Sequence, residues 1–249
     1  MKLLRRRGFE GSCVQNVLGI QKGLRMTKIK GEIQYQEAIN HFRTEGFERL
    51  GIASGWAYLD DPKRLAFTFA RYKFVAKMLQ GCARALEVGC GDAFFSRVVR
   101  QDVGHLTAVD FDADFVADAL DRSSVRWPIE VKMHDMLEGP VEGTFDGIYS
   151  LDVLEHISPA DEDQFLSNMV ASLDPHGTAI IGMPSLQSQA YASVNSKIGH
   201  VNCKDQRDLK RLMQKFFHNV FAFSMNDEVV HTGYHAMAHY NLVLCCGKR

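Results

Sequence analysis

From residue 83 to residue 184, short apolar runs alternate with stretches of helical periodicity, and this alternation restricts the fold more than any other feature of the chain. Residues 83–88 (ARALEV), 105–110 (HLTAVD), 129–134 (IEVKMH), 145–150 (FDGIYS) and 178–183 (TAIIGM) read as strands. Residues 92–103 and 112–121 read as helices. A third helix opens after Ser158 and Pro159, where Asp161, Glu162 and Asp163 place acids at its positive end. The segment Asp174-Pro175-His176-Gly177 is expected to break that helix. Strands joined through helices need crossover connections, so the sheet is expected to be mostly parallel and covered on both faces. Two final apolar runs, 219–224 and 240–246, have no helix between them and predict an antiparallel pair at its end. The expected class is a doubly wound α/β fold with a mostly parallel seven-stranded sheet and an antiparallel C-terminal strand pair.

The flanks set the domain plan. Residues 1–30 hold Lys2, Arg5, Arg6, Arg7, Lys22, Arg25, Lys28 and Lys30 against one acid, Glu10, and read as a disordered basic leader, with Met26 as an alternative start. Residues 31–81 read as an N-terminal helical lid. In it Asp61 and Pro62 start a helix, Leu65, Phe69, Tyr72, Val75 and Leu79 follow at helical spacing, and Gly81 closes it. Residues 82–249 form the core, with an insertion at 185–217. That insertion holds a polar irregular stretch, 185–203, long enough for a functional loop, and a helix capped by Asp205 that runs to Phe217.

Charge and composition narrow the partners. The formal net charge is -1, so no global positive field draws the chain to nucleic acid, and a small-molecule substrate is expected instead. No stretch approaches the ~20 apolar residues of a membrane span. The six cysteines include no CxxC pair, which argues against a zinc ribbon and for reduced thiols in a cytoplasmic protein. Oligomeric state is not legible.

Chemistry gathers at the strand tips. Glu87-Val88-Gly89-Cys90-Gly91-Asp92-Ala93 joins a strand to a helix, and its glycines let backbone approach a ligand closely. Dinucleotide-binding domains share such a turn, but acids flanking it suit a cationic aminoacyl group better than a diphosphate. Asp110 ends the next strand, 19 residues past Gly91, where an acid can accept two ribose hydroxyls. Asp135 and Met136 follow the third strand and can frame an adenine.

The segments LEVGCGDAFFS, AVD, HDM, FDGIYSLDVLEHI and LDPHGTAIIGMPS occur in the order and spacing of class I S-adenosylmethionine methyltransferases. The chain resembles the branch that includes ubiquinone-biosynthesis-type O-methyltransferases, from about residue 60 to its end. The resemblance implies a Rossmann-like fold and S-adenosylmethionine as cofactor. It implies that Glu87 meets the methionine end and that Gly89, Cys90 and Gly91 line methionine and ribose. Asp110 would bind the ribose, Phe111 pack on the adenine, Asp135 and Met136 frame it, and Leu151 lie beneath the sulfonium. Trp56 and Tyr58 fall where many relatives place a lid. One departure is Ala93, where many members have a third glycine.

An oxygen acceptor needs its proton removed by a base or a metal. Asp152, Glu155 and His156 have i, i+3, i+4 spacing, which on a helix puts them on one face. They form a candidate site for a divalent metal such as Mg2+. The resemblance extends this set, because small-RNA 3′-end methyltransferases add a later histidine, for which His200 is the candidate. Glu155, His156 and His200 are also the candidate catalytic residues. His231, His235 and His239 recur every four residues with Tyr234 and Tyr240 among them and could line an acceptor cavity or serve as bases, but their surroundings read as strand and turn, which disfavours a metal site there. Lys197, Lys204, Arg207, Lys210 and Arg211 read as a solvated helix face. The leading expectation is a hydroxyl methyltransferase acting on a sugar, glycan precursor or phenolic metabolite. The alternatives are an N-methyltransferase and a non-catalytic binding subunit. A nicotinamide-dependent oxidoreductase is disfavoured by the acids around the turn.

Overall fold

The structure is a computed structural model that describes residues 31–249, so the basic leader lies outside the described residues. The chain divides into two compact units, one ending at Glu48 and one spanning Arg49–Arg249. In the first, helix α1 (Gln36–Glu45) ends at Gly46, whose φ of 88° suits glycine, and the rings of Phe42 and Phe47 stack at 5.3 Å.

The second unit holds an eight-stranded sheet in the order β3-β2-β1-β4-β5-β8-β6-β7. Its strands are β1 (Arg84–Val88), β2 (His105–Asp110), β3 (Glu130–Met133), β4 (Phe145–Leu151), β5 (Leu173–Pro184), β6 (Phe217–Asn226), β7 (Val229–His231) and β8 (Tyr240–Lys248). The first five pair in parallel and the last three antiparallel, as the alternation requires. Successive strand residues enter opposite layers. Leu86, Ile148 and Ile181 join one buried cluster, while Ala85, Tyr149 and Ile180 join the other. A sheet buried on both faces explains why its central strands read as continuous apolar runs.

The helices of this unit are α2 (Ile52–Asp60), α3 (Lys63–Met78), α4 (Ser96–Arg100), α5 (Ala113–Asp121), α6 (Glu162–Ala171), α7 (Val194–Gly199) and α8 (Gln206–Met213). Helix α3 begins behind Asp61 and Pro62 and buries Tyr72, Val75, Ala76 and Leu79 against the sheet. Residues 49–81 therefore share a unit with the core. Among the described residues, no helix is long and apolar enough to cross a membrane.

Five expectations need correction. The helix expected at 92–103 shrinks to α4, because Ala93 adopts a φ of 51° that ends any helical run through it. Asp174–Gly177 is a bulge inside β5: Leu173 pairs with Phe145 and Thr178 with Gly147 on either side of it. The insertion is not wholly irregular, since a 3₁₀ turn (Gln187–Tyr191) and α7 occupy it. Helix α8 stops at Met213 because Phe217 already pairs with Lys248 in the sheet. The eighth strand, β7, is a three-residue edge strand with no run of its own in the sequence.

Candidate active site

The glycine turn after β1 is wound by three residues of positive φ: Gly89 at 76°, Gly91 at 51° and Ala93 at 51°. Gly89 is also confined by its neighbour, since a Cβ there would lie 2.2 Å from Val153 Cγ2. The turn passes close under the end of β4 and opens a cavity of about 610 Å3 at the carboxyl ends of the central strands. In open α/β sheets ligands bind at this edge.

Six residues expected at the cofactor line that cavity: Gly89, Gly91, Asp110, Phe111, Asp135 and Met136. Asp110 Oδ2 accepts the Gly91 amide at 2.7 Å and Oδ1 accepts Asp112 N at 3.0 Å, which fixes the carboxylate toward the turn. Phe111 is 72% exposed, an unusual position for a phenyl ring and one suited to stacking on a planar ligand. Asp135 Oδ1 accepts Leu137 N, and Met136 is buried beneath.

Three expected contacts fall elsewhere. Glu87 points into the layer beneath the turn, where Tyr72 and Tyr149 each donate a hydroxyl hydrogen bond to it at 2.7 Å. Burial pushes its carboxyl up to about 7, against the pull of those two donors. Cys90 turns its thiol into a small cluster with Ala93, Ala108 and Ala119. Leu151 belongs to the buried layer under the sheet. Asp92, one of the flanking acids, accepts both the amide (2.7 Å) and the hydroxyl (2.8 Å) of Ser54 in α2. On α2 itself, Trp56 and Tyr58 are exposed, and neither packs into a core.

A second cavity, about 780 Å3, lies beside the first. One face of α3 (Arg64, Phe67, Arg71) forms a wall, and the 3₁₀ turn at Gln187–Tyr191 and residues 236–239 form the others. Two side-chain pairs bridge from one cavity to the other. Arg71 of the second cavity holds Asp152 of the first through Nη1, at 2.8 and 2.9 Å. Its guanidinium stacks 3.8 Å over the Tyr240 ring. His200 of the second cavity meets His156 of the first, ring centroids 5.1 Å apart.

Glu155, His156 and His200 converge so that one ligand atom of each lies within 4.8 Å of the others. Asp152 stands outside this group, engaged by Arg71 and held at a φ of 58°. The expected shared helical face does not form, because only Leu154–His156 makes a 3₁₀ turn. Convergence comes instead from the backbone: Val201 N and Asn202 N both donate to Glu155 O, at 2.8 and 3.0 Å, and draw His200 in.

Hydrogen bonds fix the tautomers of both imidazoles. His156 Nδ1 lies 2.9 Å from the Gly199 carbonyl, which only accepts, so Nδ1 carries the proton. Gln189 spends its amide NH2 on Ser185 O and Ser188 Oγ, so its Oε1 accepts from His200 Nδ1 at 2.8 Å. Both Nε2 atoms are left with lone pairs. Burial, then proximity to His156, lowers the His200 pKa and keeps that ring neutral. Glu155 is 1% exposed, its Oε2 has no partner, and burial beside Asp152 holds its carboxyl well above the ordinary range. Two imidazoles whose Nδ1 atoms are held by oxygen acceptors, beside a buried carboxyl with an unpartnered Oε2, make a donor set fitted to a cation.

The remaining candidates do not assemble. His231 bonds Asn226 and Gly233, His235 faces Asp205 at 3.6 Å, and His239 accepts Asp227 N. Lys204, Arg207 and Arg211 pair with Glu162, Asp205 and Asp208. The sequence does not point to Arg71, nor to the stacking of its guanidinium on Tyr240. Both lie far along the chain from the motif they serve, and only the strand order brings them to it.

Comparison with known proteins agrees with this geometry. Residues 85–177 match the methyltransferase domain family. The chain is 26% identical over 159 residues to a ubiquinone biosynthesis O-methyltransferase of Xanthomonas campestris pv. campestris, covering 61% of this chain and 66% of that one. It is 29% identical over 169 residues to phosphoethanolamine N-methyltransferase 1 of Triticum aestivum, covering 63% of this chain and 32% of that one. The match thus spans just under two thirds of the bacterial relative and about a third of the plant one. In fold it is similar to the N-methyltransferase NodS of Bradyrhizobium japonicum WM9 in complex with S-adenosyl-L-homocysteine (TM-score 0.59, 20% identity, 77% of this chain and 91% of that one). It is also similar to the methyltransferase domain of bacterial CtHen1 (TM-score 0.60, 14% identity, 72% and 98%). Residues 85–177 thus match a methyltransferase domain, and the strand order gives the chain the Rossmann-like fold of the methyltransferases that it resembles.

Proposed function

We propose that the chain moves a methyl group from S-adenosylmethionine to a hydroxyl of a small polar molecule, a sugar, glycan precursor or phenolic metabolite, with a divalent ion held by Glu155, His156 and His200. The observation that carries this reading is the convergence of those three groups where the two cavities meet. The donor's sulfonium supplies an electrophilic methyl and a neutral leaving group, so the protein's task is placement and exclusion of water. Asp110 has acceptor capacity left for ribose hydroxyls, Phe111 stacks on the adenine, and Asp135 receives its amino group. The lining of the first cavity by these three side chains supports the roles proposed for them.

The hydroxyl reading rests on acidity. A neutral amine attacks unaided, whereas an alcohol must lose a proton. A divalent ion held at the Glu155 group would supply the acidity, by lowering the pKa of a nearby hydroxyl. Glu155, His156 and His200 would hold it, the two imidazoles through Nε2 and Glu155 as its carboxylate. Two imidazoles and one carboxylate favour a first-row ion such as Mn2+ or Zn2+ over Mg2+, which prefers oxygen donors. The second cavity, at about 780 Å3, has room for a small acceptor. Burial pushes the Cys82 and Cys203 thiols up to about 11 and about 12, which keeps them protonated and weakly nucleophilic.

The test is transfer from labelled S-adenosylmethionine into a metabolite pool, before and after EDTA. The expected result is an O-methyl product, lost with chelator, restored by Mn2+, and reduced at least 100-fold in H156A and H200A. A chelator-insensitive reaction removes the ion from the reading. An N-methyl product selects the amine alternative. No binding of S-adenosylhomocysteine by calorimetry would leave the non-catalytic alternative standing.

A further inference from the structure

Asp92 sits inside the donor turn, between Gly91 and Ala93, both at positive φ. Its carboxylate does not face the donor cavity. Oδ2 accepts Ser54 N and Ser54 Oγ, and Oδ1 accepts Phe94 N at 3.0 Å. Its own carbonyl accepts Arg122, which also grips Asp118 at 2.8 Å. Asp118 in turn accepts Ile52 N at 3.1 Å, and Ser54 Oγ accepts Gly51 N at 2.7 Å. The first turn of α2 therefore spends three of its orphan amide hydrogens on this assembly, two directly on carboxylates.

The joint is sealed. Ser54, Asp92 and Arg122 are all buried. Gly51 has no room for a side chain, since a Cβ would lie 2.4 Å from both Arg122 Nη2 and Asp92 Oδ2. On the donor side, the same turn is tied to Asp110 through the Gly91 amide. On the other side, only Asp61 and Pro62 separate α2 from α3, and α3 carries Arg64, Phe67 and Arg71 of the second cavity. A continuous bonded path thus runs from the donor carboxylate Asp110 to the wall of the second cavity.

We infer that Asp92 and Ser54 are positioning residues through which donor binding sets α2 and, behind it, the acceptor wall. The inference rests on the donor-binding role of Asp110 proposed above. A ligand that orders Asp110 and the Gly91 amide reduces the freedom of Asp92, and an ordered Asp92 holds the α2 terminus. By linkage, loosening α2 weakens the donor by the same factor. The consequence for the reaction is an order: donor first, then acceptor onto a wall already set.

The experiment uses S-adenosylhomocysteine as probe on the full chain, with calorimetry for affinity and amide hydrogen exchange for residues 51–60. In the wild type, the probe is expected to slow exchange of 51–60 at least tenfold. In S54A and D92N that protection falls below twofold, and Kd for the probe rises about tenfold. Exchange that is faster in the variants by an equal factor with and without probe would mark Asp92 as structural only and overturn the inference. So would wild-type protection and affinity in S54A, which decides the matter if D92N does not fold. A wild type that fails to bind the probe at all counts against the proposed function, whereas binding without protection of 51–60 counts only against this inference.

Discussion

Glu87 lies almost without solvent between two tyrosine hydroxyls, and its ionisation is costly there. Its folded pKa, about 7, stands above the unfolded value of 4.5. Between those values the folded state binds more protons than the unfolded one, so stability falls as pH rises from about 4.5 through 7 and levels off above. The loss is on the order of 3 kcal/mol at most. Glu87→Gln removes the titration. Urea melts from pH 4.5 to 8 are expected to show a flatter slope in the variant than in the wild type; parallel slopes would mean that another group carries the dependence. The sequence marks Glu87 as important but misdirects its role. An acid beside a glycine turn reads as a ligand for a cationic donor, yet Tyr72 and Tyr149 reach it from 15 and 62 residues away. Asp92 and Asp152 repeat the lesson, with partners 38 and 81 residues distant. Asp110 was legible because its partner is the turn that the spacing already coupled to it.

Gly89 ties β1 to β4, and both the backbone and the space require glycine. Its φ of 76° costs another residue about 1–2 kcal/mol, and the clash of a new Cβ with Val153 adds about 1–3 kcal/mol. Gly89→Ala is therefore expected to lower stability by about 2–5 kcal/mol and to weaken donor binding. Adding Val153→Ala should return the packing part and leave the backbone part, a coupling that a double-mutant melt reads directly. Full recovery would show that φ is unimportant here, and no recovery that Val153 is not the obstacle. Central strands were the most readable pieces of this chain. The run 105–110 coincides with β2, because burial on both faces selects apolar residues at Leu106, Ala108 and Val109, adjacent positions included. Where the sheet leaves that regime, legibility fails. Strand β7 has three residues on an edge, the β5 bulge hides a strand behind turn-forming residues, and Ala93 ends a helical run by a dihedral that composition does not display.

Both cavities sit at the tips of the sheet; the first takes part of its lining, Val88, Val109, Met136 and Phe165, from one buried layer, and the remaining members of both layers line neither cavity. The fold should therefore persist without donor, and donor binding should add its free energy on top. For a ligand that binds only the folded state, 100 Kd of free ligand contributes about 2.7 kcal/mol. In a chain of this size each kcal/mol moves Tm by about 2–4 °C, so S-adenosylhomocysteine is expected to raise Tm by about 5–10 °C. The shift should grow with the logarithm of ligand concentration. Asp110→Ala removes the carboxylate that orders the turn without touching either buried layer. It should keep the melting temperature of the ligand-free protein within a few degrees and lose most of the ligand-induced rise. If the ligand-free protein is already unfolded at 25 °C, or if Asp110→Ala keeps the full rise, then the tips contribute to the fold or bind the donor in a way other than the strand order implies.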